Sequence, residues 1–458
     1  MIGFDTIGNA TIIAYDGEPV LATDPWIAGS AYFGSWGLSH EIPRAQQEAI
    51  LACPYIWFSH GHPDHINHDS LVRLADKTVL LADHVGGRIA RDLTEGEVAV
   101  RVLPDRVWVE LSPAIKVMSI ADYNQDSLLL IDINGRLLVN LNDGSALGAE
   151  RFVKRITREY PTSFLLRLFS YGDADMINYV GEDGARIPPA AVAKRAIGPI
   201  MQGFAEFYGV THVIPFSCFH RYQRTDSVWA NDHTTPEEAF REGFDSRRTI
   251  LLPAFIRYDC VSNTWRELAP APLNGVVRAP EEFGDDWSDV LDARDKQMLK
   301  DYFSRLTMLE NKLDTVIFSV GGRDYAIDIA EQGGAKTNRS VTFAVPRYSL
   351  MQAVEHQVFD DLLIGNFMRT TLHGAWGASY LYPHFSPVVP KYADNGGVRT
   401  PAELGQYFAS YRARAPLEFL RHRLEARTIQ TFRSMGEPRS PFFYAGKKSY
   451  LALRKLLG

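Results

Sequence analysis

The sequence predicts a mixed α/β (α+β) protein: a hairpin-rich unit of sheets covered by helices, followed by a second unit of α+β type. Three observations carry this expectation. Asp16-Gly17 separates the β-rich runs 10–15 and 19–23. Asn134-Gly135 does the same between 128–133 and 136–141. Asx-Gly tolerates positive φ at both central positions of a type I′ turn, the tight link between antiparallel strands. After the first hairpin, strand-like runs are followed by segments of helical spacing, which places helices over sheets.

In chain order, the second strand ends at Asp24-Pro25-Trp26, because proline cannot continue a ladder. A loop with Gly29, Gly34 and Gly37 leads to a helix over 44–52. Tyr55-Ile56-Trp57-Phe58-Ser59 reads as a buried strand, and Asp69 as the cap of a helix through Leu71, Val72 and Leu74. Strands are expected at 78–82, 98–103, 107–111 and 115–120, and the second hairpin closes at Asn142-Asp143-Gly144. Residues 149–160 have helical spacing, 164–169 read as a strand, 190–208 as one long helix and 211–216 as the strand after it. Thr235-Pro236-Glu237-Glu238 looks like a helix start, with Thr at N-cap and Pro at N1.

From Pro270 the chain changes character. An acidic stretch (281–292), an amphipathic helix (295–308), a β-rich segment (315–329) and helical segments at 349–367 and 401–433 follow. We therefore expect one domain over 1–265 and an α+β domain over 266–458. Gly321-Gly322 and Gly333-Gly334 match no phosphate-binding loop and read as turns.

Of the 458 residues, 46% are hydrophobic and 22% charged, enough for a large core without disulfides. A net charge of -7 argues against a dedicated nucleic-acid binder, which normally carries a basic stripe. Cys53, Cys218 and Cys260 form no C-x-x-C pair, which suits a reducing compartment and three small buried side chains. No apolar run reaches the roughly 18 residues of a spanning helix, so no membrane segment is expected. The chain starts directly in strand-like sequence with no visible signal peptide, and a cytoplasmic location is the expectation.

The chemistry concentrates in His60-Gly61-His62-Pro63-Asp64-His65, placed between a strand and a helix. A loop at a strand end can turn several side chains into one cleft while the sheet holds its backbone. Imidazole and carboxylate suit zinc, iron and manganese. Packing does not explain the run, since four ionisable groups are costly to bury unpaired.

H-x-H-x-D-H resembles the signature of the metallo-β-lactamase fold, an αββα sandwich. Asn9-Ala10-Thr11 leading to Asp24-Pro25-Trp26 is similar to the lactonase-like branch of that superfamily. Asp24-Pro25-Trp26-Ile27, Leu38-Ser39-His40-Glu41-Ile42-Pro43, Phe58-Ser59 with the cluster, the hairpin ending in Asn142-Asp143, and Pro215-Phe216 resemble the non-Rieske part of the CMP-N-acetylneuraminate hydroxylase family. The resemblance covers residues 1–240, and it implies roles. His60 and His62 would bind a first metal, Asp64 and His65 a second. Asp143 would bridge them, and His220 would be the late ligand, with His233 as rival. Asp24 would support the ligands from the edge of the site.

Two departures matter. The pattern usually has a histidine between the cluster and the bridging aspartate, and this chain has none between His84 and His212. Asp122, with Asp126 nearby, would fill that vacancy and shift preference toward iron or manganese. The plainer reading of Asp122 is a turn residue before the next strand. The chain also lacks the Cys/His pairs of a Rieske centre, so that oxygenase chemistry does not transfer with the resemblance.

The first functional expectation is a metal-dependent hydrolase acting on a small anionic, sugar- or nucleotide-like substrate. It would use one or two divalent ions, zinc first and iron or manganese as alternatives. The ions would make a water acidic, and Asp64 and His220 would act catalytically. The alternative is a non-haem di-iron oxygenase with an external electron donor. A partner-binding, degenerate member is a third reading, weakened by the intact cluster. The second domain is expected to cover the metal cleft, since pockets favour domain interfaces. Homo-oligomerisation is left open. His68, His84, His373 and His384 read as structural. Arg221, Arg224, Arg247 and Arg248 could hold phosphate or carboxylate, their plainer reading being a solvated face.

Overall fold

The structure, a computed structural model, describes residues 1–434 apart from 145, 147, 174–175, 330–335 and 378–379. Gly333-Gly334 and the chain beyond 434 lie outside the described residues.

Two sheets dominate the first half. One has the order Thr264–Glu267, Ile256–Asp259, Ile2–Ile7, Thr11–Asp16, Glu18–Thr23, Tyr55–Trp57, Thr78–Ala82, Ala99–Leu103. It is antiparallel as far as Glu18–Thr23 and parallel beyond it. The other has the order Ile250–Leu251, His212–Pro215, Ser163–Arg167, Arg136–Asn142, Ser127–Ile133, Ile115–Ala121, Val109–Ser112. Both expected hairpins form, with Gly17 at φ 76° and Asn134-Gly135 at φ 49° and 76°.

Alternation along the strands sorts the side chains into three apolar layers. Leu129, Ile131, Phe164 and Leu166 of the second sheet meet Phe4, Ile12, Leu21, Trp57 and Leu80 of the first. The alternate residues Leu128, Leu130, Val139 and Leu165 face outward, under Val153 and Ile156 of the helix Glu150–Thr157 and Met201 and Ala205 of the helix Gly198–Tyr208. On the opposite side Ile13, Ala22, Ile56 and Val79 pack against Ile50 of the helix Arg44–Ala52, Leu71 of the helix His68–Val72 and Leu93 of the helix Arg88–Glu95. This is the expected αββα sandwich. Burial on both faces explains why Ser127–Ile133 reads as an almost continuous apolar run.

Local expectations fail where proline or a neighbouring polar group intervenes. The single helix expected over 190–208 is a turn of 3₁₀ helix, Ala190–Ala193, then a break at Lys194 (φ 39°) and the helix Gly198–Tyr208. Pro199 is tolerated only in the first helical turn, so the helix must start there. The helix after the cluster is capped by Asn67, which accepts from Ser70 N at 3.1 Å, and not by Asp69. Thr235 caps nothing; its hydroxyl pairs with the backbone of Tyr171. The segment 401–433 is two helices, Pro401–Arg414 and Pro416–Ser434, separated at Ala415-Pro416.

A second sheet unit follows, ordered Arg323–Asp328, Thr315–Val320, Arg339–Ala344, Arg369–Gly374. Its core gathers Phe303, Phe318, Phe343, Phe359 and Phe385 from the sheet and its helices. Ala82 and Ala121, at the ends of two sandwich strands, belong to the same apolar cluster, as does Tyr123. Polar contacts join the units as well. Gln125 Nε2 donates to Tyr407 Oη at 2.9 Å, and Arg88 Nη1 donates to Gln357 O at 2.7 Å. Arg224 is not on a solvated face: it is fully buried, paired with Asp226 and Asp285, and lies 4.0 Å over the Phe367 ring. The second unit therefore sits against the sandwich edge where the cluster lies. Among the described residues no helix is long and apolar enough to cross a membrane.

Candidate metal centre

The strand Tyr55–Trp57 is held in parallel register between Glu18–Thr23 and Thr78–Ala82, and the chain leaves its C-terminal end through Phe58 and Ser59 into the cluster. His65 N and Ile66 N both donate to His62 O, at 3.0 and 2.8 Å, which curls the loop tightly. Neighbouring strands end at the same place. Asp24, Asn142 and Ser217 each follow or close a strand with φ of 41°, 52° and 60°. Left-handed backbone at non-glycine residues costs about 1–3 kcal/mol each and persists where surrounding contacts hold it. Here all three residues bond within the site.

Asp24 is fully buried and organises one side. Its Oδ1 accepts from Ser59 N (2.8 Å) and Ser59 Oγ (3.0 Å), and its Oδ2 from Asn142 Nδ2 (2.5 Å). Burial raises its carboxyl from the ordinary value, against the pull of His65 and Ser59. Because the Ser59 hydroxyl gives its proton to Asp24, the 2.8 Å contact between Ser59 Oγ and His60 Nδ1 is made by the imidazole N–H. His60 Nε2 is then left with a lone pair. His62 Nε2 lies 3.0 Å from Asp360 Oδ2, an acceptor, so Nε2 carries a hydrogen. His60 Nε2 and His62 Nδ1 lie 2.8 Å apart, within hydrogen-bond distance, and both would turn to a bound cation.

The second half of the cluster repeats the logic. His65 is fully buried, with Nδ1 3.5 Å from Asp24 Oδ1 and Nε2 3.3 Å from Asp64 Oδ2 and 3.5 Å from Asp143 Oδ2. Burial alone would lower its pKa, but Asp64, Asp143 and Asp24 together raise it well above the ordinary histidine value. Burial would raise the Asp64 and Asp143 carboxyls, and His65 instead holds both below the usual carboxylate range. Asp64 Oδ1 accepts from Tyr32 Oη at 2.6 Å and Oδ2 from Asn9 Nδ2 at 2.9 Å. Asp143 Oδ1 accepts from Ser217 Oγ, while Oδ2 lies between His65 Nε2 and His60 Nε2, 4.0 Å from the latter. His60, His65 and Asp143 each offer a ligand atom, all within 4.8 Å of one another.

His220 is buried and stacked on Trp36, rings 3.5 Å apart and 3° from parallel. Burial pushes its pKa down to about 4, with Asp64 and Asp143 pulling the other way, so its imidazole is neutral at pH 7. Both its ring nitrogens are buried outside hydrogen-bond geometry, Nδ1 lying 3.7 Å from Asp173 Oδ1, and His65 Nε2 faces Asp64 and Asp143. Orphaned nitrogens beside paired carboxylates fit a divalent cation, and the residues present match that group. The rival His233 packs edge-on against Trp229. Asp122 Oδ1 accepts from the amides of Asn124 and Asp126 at 2.7 and 3.0 Å, and the group of His60, His65 and Asp143 does not include it. Its Oδ2 is buried and unpartnered, and burial and Asp126 raise its carboxyl well above the ordinary range.

Sequence reasoning missed the residues that hold the ligands. Asn9, Tyr32, Ser59 and Asn142 bond Asp64 or Asp24 directly. Polar Asn9 and Asn142 beside apolar strands were the available signal. Asp360 and Asp361 come from the helix Phe359–Ile364, and Lys391 Nζ lies 3.4 Å from Asp360 Oδ2. Burial, Asp360 and Asp64 raise the Asp361 carboxyl well above its ordinary value. Of the residues read as structural, His68 is exposed, His84 Nδ1 meets Tyr411 Oη at 3.3 Å, and His373 bonds Thr342 and Glu182.

No family model matches the chain. Among curated proteins, it is 25% identical over 140 residues to cytidine monophosphate-N-acetylneuraminic acid hydroxylase of Danio rerio, covering 28% of this chain and 23% of that one. The inactive cytidine monophosphate-N-acetylneuraminic acid hydroxylase of Homo sapiens is 25% identical over 136 residues, 28% of this chain and 27% of that one. The chain thus spans about a quarter of the length of the curated relatives it matches. Among solved structures, CmlA, a diiron β-hydroxylase from Streptomyces venezuelae, aligns with a TM-score of 0.35 at 13% identity, covering 56% of this chain and 53% of that one. Isothiocyanate hydrolase from Delia radicum gut bacteria aligns with a TM-score of 0.37 at 12% identity, covering 56% and 98%. The layers, the strand-end loop and its H-x-H-x-D-H run together give this chain the metallo-β-lactamase fold, with sequence similarity to the non-Rieske part of CMP-N-acetylneuraminic acid hydroxylases.

Proposed function

We propose that this chain is a metal-dependent hydrolase of a small anionic, sugar- or nucleotide-like substrate, with His60, His62, Asp64, His65, Asp143 and His220 as its ligand set. The observation that carries the reading is the buried group His60, His65 and Asp143, whose ligand atoms all lie within 4.8 Å of one another, with His62 Nδ1 2.8 Å from His60 Nε2 and Asp64 Oδ2 3.3 Å from His65 Nε2. When bound, one or two divalent ions, zinc first, would acidify a water and polarise the oxygen of the scissile group. The chain's own residues prepare that event. Ser59 and Asp24 orient His60, Tyr32 and Asn9 orient Asp64, Ser217 orients Asp143, and Trp36 fixes the plane of His220. His220, neutral at pH 7, offers a lone pair, and the second unit packs over the strand ends and limits bulk water. The substrate class rests on the name of the curated relatives, whose substrate is a nucleotide-linked acidic sugar.

One observation favours a second reading, a non-haem di-iron oxygenase. The site replaces the expected third histidine with nothing from 85–211 and instead collects carboxylates, with Asp360 and Asp361 added from the second unit. Oxygen ligands shift preference toward iron. Elemental analysis of protein expressed with balanced metal supply decides between the two. Zinc or manganese, with turnover of phosphoesters, lactones or amides in the absence of dioxygen, supports the hydrolase. Two irons per chain and reductant-dependent turnover replace it with the oxygenase. No metal in the wild type, or equal metal in a His60→Ala, Asp64→Ala variant, sinks both.

A further inference from the structure

We propose that Asp360, carried by the C-terminal unit, is the positioning residue that sets His62 as a ligand, with Lys391 as its counter-ion; this rests on the metal-centre reading above. Asp360 stands in the first turn of the helix Phe359–Ile364, 298 residues beyond His62, and its Oδ2 lies 3.0 Å from His62 Nε2. A carboxylate at that distance accepts the Nε2 hydrogen and reserves Nδ1, which points at His60 Nε2, as the nitrogen that turns to a cation. A protonated Nδ1 would instead fill the position a cation needs. An imidazole whose outer N–H meets a carboxylate is also a more basic donor, and removing such a partner typically weakens metal affinity about 10–100-fold.

Lys391 makes the arrangement self-consistent. It lies on the helical turn Pro387–Asn395, with Nζ 3.4 Å from Asp360 Oδ2 and 3.8 Å from Asp126 Oδ1 of the sandwich. Asp360 has Asp361 beside it in sequence and the Asp64 and Asp143 carboxylates in the same site. A single ammonium between Asp360 and Asp126 offsets that repulsion and, meeting the same Oδ2 that faces His62, keeps that carboxylate charged. Arg88 adds a second tie, donating from the sandwich to Gln357 O and Asp394 O on either side of these residues. The ligand geometry of a motif near the N-terminus is thus completed by a helix from the second unit. Metal affinity becomes a property of the docked pair of units.

The test is titration of Co²⁺ into the chelator-treated full chain, read by visible absorption and by the dissociation constant. Asp360→Asn, isosteric but neutral and able to donate, should weaken cobalt binding about 10–100-fold and move the visible bands. Asp360→Glu should recover most of the affinity. Lys391→Met, which keeps Asp360, should shift the spectrum in the same direction by less. Thermal midpoints and circular dichroism of each variant separate misfolding from loss of positioning. An Asp360→Asn protein that is folded and matches the wild type in affinity and spectrum overturns the inference. If that variant does not fold, an unchanged spectrum in Lys391→Met overturns it instead. A wild type that binds no cobalt overturns the metal-centre reading itself, and a His60→Ala control marks the affinity expected when a true ligand is lost.

Discussion

His60 Nε2 and His62 Nδ1 face each other at 2.8 Å, while Ser59 Oγ and Asp360 Oδ2 meet their opposite nitrogens. A cation that binds the folded site and not the unfolded chain adds its binding free energy to stability. A bound ion should therefore stabilise the fold measurably. Saturation at about 100 times the dissociation constant corresponds to about 2.7 kcal/mol, a rise in Tm of roughly 5–10 °C for a unit of this size. Scanning calorimetry with and without a chelator checks it. His60→Ala should abolish the difference, and a wild-type Tm insensitive to chelation would remove the cation from the argument.

Asn142 joins the two halves of the site. Its Nδ2 donates to Asp24 Oδ2 at 2.5 Å and to Ser59 Oγ at 2.8 Å, from a backbone at φ 52°. Asn142→Ala leaves a buried carboxylate oxygen short of a donor and puts alanine in left-handed backbone, so a loss of about 2–4 kcal/mol is expected. Asn142→Gly relieves the backbone but not the hydrogen bonds, and should recover about 1 kcal/mol of that loss. Urea midpoints for both variants separate the terms. Equal losses would mean that the backbone strain is not real.

Protonation of His220 should subtract stability from the metal-free protein as pH falls from 6.5 toward 4, while the raised carboxyls of Asp24, Asp122 and Asp361 act in the opposite sense. Burial holds His220 at about 4 in the fold, against about 6.5 when unfolded. The unfolded chain binds the proton first, so the contribution is complete above 6.5 and is lost on the way down to 4, at most about 3 kcal/mol. Asp64 and Asp143, also held below their ordinary values, extend the loss to lower pH. His65 acts in the opposite sense: its raised pKa gives a contribution complete below 6.5 that fades as pH rises through the folded value. His220→Phe keeps the ring on Trp36 and removes the titration. Denaturation of chelator-treated protein between pH 4 and 7 should show a shallower slope for that variant, and an equal slope would refute the assignment.

What the sequence revealed follows from how local the signals are. The Asx-Gly hairpins, the strand Tyr55–Trp57 and the six-residue cluster are encoded within a few residues, and they are found where the spacing put them. Asp360 and Lys391 were not legible. Asp360-Asp361 opens a helix, where acidic residues need no further explanation, and only the docking of the second unit brings Asp360 to His62. Tyr32 and Asn9 were hidden for the same reason, being bonded to Asp64 across 32 and 55 residues. The helix expected over 190–208 failed because apolar spacing runs through Gly198-Pro199 while the backbone cannot. For Arg224 the sequence offers a carboxylate partner or a solvated face, and charge patterning says nothing about a buried counter-ion supplied from another unit.

That arginine supplies the last prediction. Arg224 donates from Nε and Nη2 to Asp226 at 3.0 and 2.8 Å, and from Nη1 to Asp285 at 2.7 Å and to Phe33 O at 2.8 Å. Asp285 in turn accepts from Ser349 N and Oγ at 2.9 and 2.6 Å. The guanidinium therefore ties the loop that carries Tyr32, a direct partner of Asp64, to the second unit that carries Asp360. Arg224→Met leaves Asp285 and Asp226 buried without their cation and should cost about 3–5 kcal/mol. Arg224→Lys should recover little, since an ammonium cannot reproduce the fork. In a double-mutant cycle with Asp285→Asn, a coupling above about 1 kcal/mol is expected. Additive single losses would show that the two units are held together elsewhere, and cobalt affinity in Arg224→Met should then be unchanged; if Arg224 is the tie described here, that affinity falls together with the coupling.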